Sequence, residues 1–283
     1  MNKEATLVIG GLGLKGLANI GVLQAISESA IPLKRIVASG ISSIIGAQFA
    51  LGRDMNLLTD ELVSFFTEND RYLWGLQRLS GMPRRRTRRV RDSFAYFLRE
   101  RLFCQANFSR ISILPWDILD SRLQTFFGDV HPSEFQVPLA VSAIDLSSKQ
   151  EVLLEEEDLI MRLKAGLAFP GLFPPVRHRD REYAGSTFYC ELPLSTLSTT
   201  DAPIIVSDIP STLSTETPGN VIETLARVDE IRSAVIKKDL LTRADRLFSL
   251  QTVKGFQWGN YRQIHMQVDR AYEEMKTLID KWE

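Results

Sequence analysis

The segment IVASGISSIIGA, residues 36–47, has the pattern of a nucleophile elbow, in which a strand turns sharply into an apolar helix. Enzymes that use this turn place a serine at its tip, between small residues, where the hydroxyl is exposed for attack on an ester carbonyl. The tip position in this chain is Gly40. Because a glycine has no side-chain oxygen, the segment predicts the shape of a nucleophile site without its nucleophile.

A glycine-rich loop, GGLGLKG, precedes the elbow and lies between a predicted strand and a predicted helix. Its candidate functional residues are Gly11, Gly13, Lys15 and Gly16. Such a loop either holds the pyrophosphate of a dinucleotide or offers backbone N–H groups to an oxyanion, and a tight turn without a ligand is a third interpretation. The next strand ends in VASG, without an acidic residue to bind a ribose, which counts against the dinucleotide.

Short apolar strands alternate with helical patterns around these two motifs. We predict strands at 5–9, 35–39, 137–146, 150–154 and 201–209, and helices at 15–27 and 43–51. This alternation predicts an α/β fold with a mostly parallel central sheet flanked by helices. We interpret residues 1–283 as a single domain with its core motifs at 5–210.

Two amphipathic helices are predicted within residues 219–283. The apolar positions of the first are Ile222, Leu225, Ile231, Val235 and Leu241, and those of the last are Ile264, Val268, Tyr272, Met275 and Ile279. Apolar residues at helical spacing form a face that normally packs on a core. We therefore interpret both segments as amphipathic helices of the layers that flank the sheet.

The composition argues against several other classes of protein. A net charge of -1 gives no overall field that would attract nucleic acid or a membrane. The two cysteines are far apart and favour a reducing compartment over a disulfide framework, and the three scattered histidines suggest no metal site. No signal-peptide cleavage site or long apolar run is evident. We expect a cytoplasmic protein without cofactor, metal or membrane span, and leave peripheral association with a membrane open.

Five blocks, in order, resemble the bacterial patatin-like phospholipases. They are the glycine-loop block at 7–26, the elbow block at 31–47, the strand pair at 137–154, AGLAFPGLFPPV at 165–176 and REYAGSTFYCELPLS at 181–195. The resemblance implies a patatin-like three-layer α/β domain. It also implies a lipid acyl hydrolase with a serine–aspartate dyad, in which the glycine loop holds the oxyanion and no histidine is needed.

When the family motifs are aligned to this chain residue by residue, other residues stand at both dyad positions. The elbow block aligns without a gap and puts Gly40 at the nucleophile position. The flanking tyrosine and Leu-Pro motifs put Gly185 at the aspartate position, with Ser186 and Thr187 at the two small residues that follow. Glu191 replaces the asparagine before Leu-Pro. The glycine loop keeps its glycines and its basic residue.

Two classes of function follow from this pattern. The first is a catalytically degenerate patatin-like protein, a pseudoenzyme that acts by binding a lipid or a protein partner. The alternative is an active serine esterase or lipid acyl hydrolase with a relocated nucleophile, with Ser42 as first candidate. A shift of two residues into the helix rotates the side chain by about 200°, and Ile44 fills the second small position. The competing interpretation is that Ser42 and Ser43 cap the first-turn N–H groups of the helix.

The segment PRRRTRRVRD lies in a helix-prone, aromatic insertion at about 54–104. Its arginines are Arg84, Arg85, Arg86, Arg88, Arg89 and Arg91. They could bind anionic lipid headgroups, where each basic side chain adds about 1 kcal/mol to the binding free energy. They could instead bind an acidic protein or the backbone of a nucleic acid. They could also pair with acids such as 155–157 in a solvated loop. So dense a run on a near-neutral chain favours an anionic ligand or partner.

Overall fold

The computed structural model of the chain describes residues 4–68, 111–128, 130–210, 217–219, 221–253 and 263–281. The strands are β1 (Ala5–Ile9), β2 (Leu33–Ala38), β3 (Leu139–Asp145), β4 (Gln150–Leu154), β5 (Val176–His178), β6 (Arg181–Gly185), β7 (Ile204–Asp208) and β8 (Arg246–Ser249). The helices are α1 (Asn19–Ser27), α2 (Ser42–Ala50), α3 (Met55–Glu68), α4 (Asp117–Phe127), α5 (Leu159–Leu167), α6 (Val221–Leu240) and α7 (Ile264–Asp280).

The strands form one mixed sheet with the order β5-β6-β3-β2-β1-β7-β8, and β4 pairs with β3. Strand β1 lies between β2 and β7, and both pairings are parallel. All of its residues are buried, as expected of a parallel strand that is covered on both faces. The pairs β2–β3 and β7–β8 are also parallel, whereas β4, β5 and β6 pair antiparallel. The predicted mostly parallel α/β sheet flanked by helices is confirmed.

The two largest apolar cores of the described residues lie on opposite faces of this sheet. Because side chains alternate along a strand, Leu7 and Ile9 of β1 join the larger core and Val8 joins the smaller one. The larger core also contains the apolar faces of α1, α2, α3 and α7. The smaller core is covered by Cys190, residues 192–197 and the end of α6. The sheet is therefore the middle layer of three.

Some element boundaries differ from the sequence prediction. The helix predicted from residue 15 begins as a 3-10 turn at Gly13–Ala18, and α1 continues it. Strands β5, β6 and β8 were not predicted, because they are short and carry charged residues. Helix α5 was also missed, although its start has a sequence signal: the Asp158 carboxylate accepts a hydrogen bond from the Met161 N–H at 3.0 Å, as an N-cap does.

The two C-terminal helices differ in how they pack. Helix α7 is as predicted, with Ile264, Val268, Met275 and Ile279 buried. On α6 three of the predicted apolar positions, Leu225, Ile231 and Val235, are exposed, and the helix packs on the smaller core through Ile236 and Leu240. Leu241, the last residue of the predicted set, packs on that core as well. Nowhere in the described ranges is a helix both long and apolar enough for a membrane span.

Candidate functional site

The turn between β2 and α2 has the backbone of a nucleophile elbow. Strand β2 ends at Ala38, α2 begins at Ser42, and Gly40 lies between them with φ +57°. This left-handed conformation suits glycine and costs other residues about 1–2 kcal/mol. Gly40 therefore lies at the tip of a tight strand-to-helix turn, where the sequence places the nucleophile position.

Thr187 packs over the tip of this turn. A Cβ atom on Gly40 would lie 2.7 Å from Thr187 Cγ2 and 3.7 Å from its Oγ1. Thr187 is only 6% exposed, so its methyl group has little room to move aside. The methyl group of Thr187 thus occupies the space that a side chain at position 40 would need.

Gly185 is the last residue of β6, and its surroundings also leave no room for a side chain. Its N–H donates to the carbonyl oxygen of Ala168 at 2.8 Å. A Cβ atom on Gly185 would lie 2.8 Å from the carbonyl oxygen of Gly166 and 3.2 Å from the carbonyl carbon of Ala168. Both neighbours are backbone atoms, so an aspartate here would require the chain to shift.

The glycine loop follows β1 and is held in place by Asn19. The Asn19 Nδ2 donates to the carbonyl oxygens of Gly10 at 2.9 Å and Gly16 at 3.1 Å, and to Ser42 Oγ at 3.0 Å. Its Oδ1 accepts from Ser207 Oγ at 3.0 Å. Asn19 is fully buried, and such a satisfied polar network fixes geometry because breaking it would leave unpaired polar atoms. In the sequence, Asn19 is a polar residue within the apolar pattern at 17–26, and this signal of a buried polar role was not recognised.

The loop glycines bring the backbone close to itself. Gly11 has φ +150°, and a Cβ atom there would lie 2.9 Å from the nitrogen and Cα of Gly16. Gly13 has φ +57°. This geometry explains why the loop is glycine-rich, and its role as an oxyanion hole stays a prediction.

Ser42, the alternative nucleophile, lies inside the protein. It has no exposed surface, accepts a hydrogen bond from Asn19, and its Oγ donates to the Gly16 carbonyl oxygen at 3.3 Å. The interpretation of Ser42 and Ser43 as helix caps is wrong. The Ser43 N–H is bound by the Gly40 carbonyl instead, and Ser43 Oγ is buried without a hydrogen-bond partner among the described residues.

A buried ion-pair cluster joins α6 to the elbow. Lys237 Nζ lies 2.9 Å from Glu191 Oε2 and 2.5 Å from Asp208 Oδ1. Burial acts to lower the pKa of Lys237, but the charges of Glu191 and Asp208 raise it overall. Burial lowers the pKa of Lys15, and Glu191 partly opposes this. The carbonyl oxygen of Glu191 also accepts from Ser39 Oγ at 2.6 Å, so this residue connects the helix to the end of β2.

A second polar cluster lies beside Gly185. Ser142 Oγ lies 2.7 Å from Glu151 Oε1 and 2.8 Å from Ser186 Oγ, and Ser195 Oγ donates to the other carboxylate oxygen of Glu151. Burial raises the pKa of Glu151, and the hydrogen bonds from Ser195 and Ser142 offset part of that rise. The cluster holds Ser186 against β3, next to the end of β6.

The remaining predicted site lies outside the described residues. Arg84, Arg85, Arg86, Arg88, Arg89 and Arg91 are all in this undescribed part. Of the acids considered for pairing with them, Glu155 forms an ion pair with Arg35. Across the described ranges, no cluster of His, Cys, Asp and Glu is suited to a metal ion.

A cavity of about 1030 Å³ lies between α1, α3 and α7. Among its lining residues are Gln24, Phe49, Asp60, Asp269 and Tyr272. None of its lining residues belongs to the elbow, the glycine loop or β6. Its size alone therefore says nothing about the chemistry at Gly40.

The order and geometry of these motifs agree with sequence comparison. The family model described as patatin-like phospholipase matches residues 7–189, well over half of the chain. The chain belongs to the patatin-like phospholipase family. The glycine loop, the elbow and the β6 segment all lie within the matched range.

Relatives of this patatin-like chain are mostly distant or much longer. Lysophospholipase NTE1 of Pyricularia oryzae is 42% identical over 53 residues, which are 19% of this chain and 4% of the relative. An uncharacterized NTE family protein of Mycobacterium bovis is 22% identical over 204 residues, which are 72% of this chain and 48% of the relative. The chain thus spans less than half the length of these relatives.

Among solved structures, VipD from Legionella pneumophila has a similar fold. It superimposes with a TM-score of 0.51 over 98% of this chain and 67% of VipD, at 13% sequence identity. At this identity the likeness concerns the fold alone. It agrees with the three-layer α/β architecture of the described residues.

Proposed function

We propose that this patatin-like protein is catalytically degenerate and acts by binding a lipid or a protein partner. Membership of the patatin-like phospholipase family and similarity to lysophospholipases support a lipid-related role. The observation that carries the loss of catalysis is the contact between Thr187 and the tip of the elbow. A serine at position 40 would collide with the Thr187 methyl group, so this packing suits a glycine there.

The surroundings of Gly185 support the same proposal independently. Backbone atoms of Gly166 and Ala168 lie too close for a side chain. The dyad needs an aspartate to accept the proton of the nucleophile. A site without nucleophile and base keeps only oxyanion stabilisation and binding, which supply a remnant of the full rate enhancement.

The alternative function is an ester hydrolase with Ser42 as nucleophile. The burial of Ser42 and its hydrogen bonds to Asn19 and Gly16 argue against it, because an attacking hydroxyl must reach the substrate carbonyl. An acidic partner or anionic membrane surface bound through the arginine run stays a separate prediction.

The proposal is tested by labelling the purified full chain with a fluorophosphonate probe, read by intact mass and peptide mapping. The probe reports an activated serine without requiring the right substrate. We expect no adduct, beside a patatin-like hydrolase with an intact dyad that labels fully. An adduct on Ser42 or Ser39, lost in the corresponding serine-to-alanine variant, would overturn the proposal and locate the nucleophile.

A gain-of-function variant sharpens this test. Gly40→Ser combined with Thr187→Gly supplies a hydroxyl and removes the methyl group that blocks it. We expect slow labelling at position 40 in the double variant and none in Gly40→Ser alone. Labelling of the two variants at the same measurable rate would show that Thr187 does not restrict the tip, and no labelling of either would show that opening the tip is not enough without an acid at position 185.

A further inference from the structure

The cavity between α1, α3 and α7 has an acidic rim. Its described lining residues carry five carboxylates and the guanidinium of Arg53, which give a net charge of -4 while His265 is uncharged. The whole chain has a net charge of only -1, so negative charge is concentrated at this cavity. A cleft lined by one sign of charge raises the local concentration of ligands of the opposite sign. The five exposed acids are Glu28, Asp54, Asp60, Asp269 and Glu273.

Two of these carboxylates have no ionic partner within the part of the chain that the structure describes. Asp269 and Glu273 lie one turn apart on α7, a spacing at which like charges repel each other and destabilise a helix. The guanidinium of Arg53 does not compensate them. It donates to the carbonyl oxygen of Phe126 at 2.7 Å and to Gln48 Oε1 at 3.1 Å. The cavity therefore keeps negative charge for a cation from outside the chain.

The other three acids have partners, but these contacts are weak. Glu28 forms an ion pair with Lys276 at 3.3 Å, and both side chains are largely exposed. Asp60 Oδ1 lies 3.8 Å from the ring of His265, and Asp54 accepts a hydrogen bond from the first turn of α3 at 2.8 Å. Exposed pairs of this kind contribute little free energy. They would not prevent a ligand of higher positive charge from binding.

Thr59 brings a buried hydroxyl to the same cavity. It lines the cavity from α3 and is only 6% exposed, and its Oγ1 forms no hydrogen bond among the described residues. A helical threonine commonly donates to the carbonyl oxygen one turn back, as Thr125 does to Ser121 at 2.8 Å and Thr277 does to Glu273 at 2.9 Å. A buried polar atom without a partner is unusual. The hydroxyl of Thr59 is therefore left for a donor that enters the cavity.

Apolar side chains lie among these polar groups. Phe49, Met55, Val137 and Val268 line the cavity, and two of them, Met55 and Val268, are almost fully buried. A bare metal ion would leave these side chains unused, and the described residues contain no cluster suited to a metal. The volume of about 1030 Å³ is at the upper end for small-ligand sites. The lining thus suits a small ligand that has several positive charges separated by apolar segments.

A linear polyamine has this chemistry, because its ammonium groups are joined by short methylene chains. We propose that this acidic cavity binds a linear polyamine. Asp60, Asp269 and Glu273 hold its ammonium groups, and Thr59 accepts a hydrogen bond from one of them. An ammonium on a methylene stem is slender, whereas the guanidinium of an arginine is a broad planar fork. This goes beyond the proposed function, because the cavity has no lining residue in the elbow, the glycine loop or β6.

The experiment is isothermal titration calorimetry of the full chain with spermine, spermidine and hexaamminecobalt(III). Spermidine and the cobalt complex carry the same charge near neutral pH, but only spermidine has methylene chains to bury. We expect saturable binding of spermine, and affinity for spermidine at least about tenfold higher than for the cobalt complex. Equal affinity for these two cations would show attraction to charge alone and would overturn the proposal.

Substitution of the acids locates the site. Asp60→Asn/Asp269→Asn/Glu273→Gln should weaken spermine binding at least about tenfold. The matched control removes the same charge from exposed acids outside the cavity. It is Glu61→Gln/Asp239→Asn/Asp280→Asn. At physiological salt, where screening acts within about 8 Å, the control should change the affinity by less than about threefold. Equal losses in the two variants would contradict a site at the cavity.

Thr59→Val removes the hydroxyl and keeps the shape of the side chain, and it covers the case in which the triple variant does not fold. We expect spermine affinity to fall about tenfold, because a hydrogen bond to a charged group is lost. Thermal melts without spermine should show unchanged or higher stability, since the hydroxyl has no partner among the described residues. Unchanged spermine affinity in Thr59→Val would overturn the proposal.

Other outcomes would assign the cavity to a different occupant. Failure of the wild type to bind spermine, with binding gained when Arg84 to Arg91 are neutralised, would assign it to the arginine run of the chain. Tighter binding of a tetralysine peptide than of spermine would assign it to a basic peptide. Either result would overturn the proposal of a polyamine, as would the absence of spermine binding in every variant.

Discussion

The elbow and the segment that faces it, residues 185–191, differ in what they keep of a hydrolase site. The elbow keeps its backbone: Gly40 has a left-handed conformation, and Asn19 binds the glycine loop. The facing segment has no room for an acid at Gly185 and fills the open space with Thr187. A strand-to-helix turn can therefore keep its shape without a nucleophile, because buried hydrogen bonds of other residues hold it.

The two regions are also packed directly against each other. Thr187 contacts the tip of the elbow, and the carbonyl oxygen of Glu191 accepts from Ser39. A Cβ atom on Gly10 would lie 1.9 Å from that same carbonyl oxygen. Changes that add atoms between the two regions should therefore cost more than changes elsewhere, and the predictions below test this.

The largest effect is expected for Gly185→Asp. The new side chain would meet backbone atoms of Gly166 and Ala168, and its carboxylate would be buried. We expect the free energy of unfolding in urea to fall by about 4 kcal/mol. Gly171→Asp is the control, because nothing lies within 4 Å of a Cβ atom there; its φ of +84° should cost about 1 kcal/mol. Equal losses of unfolding free energy in the two variants would mean that β6 shifts easily to accommodate a side chain at position 185.

Gly40→Ser should destabilise the protein by about 3 kcal/mol, from the left-handed backbone and from the collision with Thr187. In that background Thr187→Ala should restore about 1–2 kcal/mol, although the same change in the wild type removes a packed methyl and costs about 1 kcal/mol. A double-mutant cycle by urea unfolding measures this coupling. Additive effects would show that the two residues do not compete for the same space.

The contact between α6 and the facing segment is tested by Lys237→Met. This change leaves Glu191 and Asp208 without their cation in a nearly buried position, and should cost about 2 kcal/mol. Its neighbour Lys238 is exposed, so Lys238→Met should change stability by less than about 0.5 kcal/mol. Thermal melts of the two variants side by side decide the point, and similar midpoints would exclude a structural role for the cluster.

The smallest effect concerns Glu151, behind the facing segment. Because burial raises its pKa, the folded state binds a proton more readily than the unfolded state, and stability falls as pH rises from below 4.5 through the folded-state pKa. Glu151→Gln should therefore raise stability at pH 7 by about 1 kcal/mol or less, and the gain should vanish in acid. Thermal melts of Glu151→Gln from pH 4 to 8 check this prediction, with the exposed Glu156→Gln as the control. A gain in stability that is the same at every pH would contradict it.

The sequence predicted the centre of this fold better than its margins. Strand β1 and the turn at Gly40 have strong local signals, namely continuous apolar residues and small residues between strand and helix. The strand β5 is three residues long and carries Arg177 and His178, so no local pattern distinguishes it from a loop. On α6 the periodicity was visible, but which side faces the core depends on partners far along the chain.

The sequence predicted which positions belong to the candidate site, but not which residues contact one another there. The resemblance to the family motifs predicts Gly40 and Gly185 at the dyad positions. Thr187 contacts the tip at Gly40 although the two residues are far apart in sequence. The pairing of β3 with β6 brings them together. The role of Asn19 likewise follows from three chain segments that meet around one amide.

The positive φ of Gly40, together with its contact with Thr187, has a consequence for how this chain can change over generations. A serine at position 40 is unfavourable while Thr187 is present, and a smaller residue at 187 is unfavourable while position 40 is glycine. Each single step lowers stability, and only the pair relieves the conflict. Because the fold has a narrow stability margin, a serine at position 40 is more accessible to selection after a smaller residue has appeared at position 187 than by direct substitution.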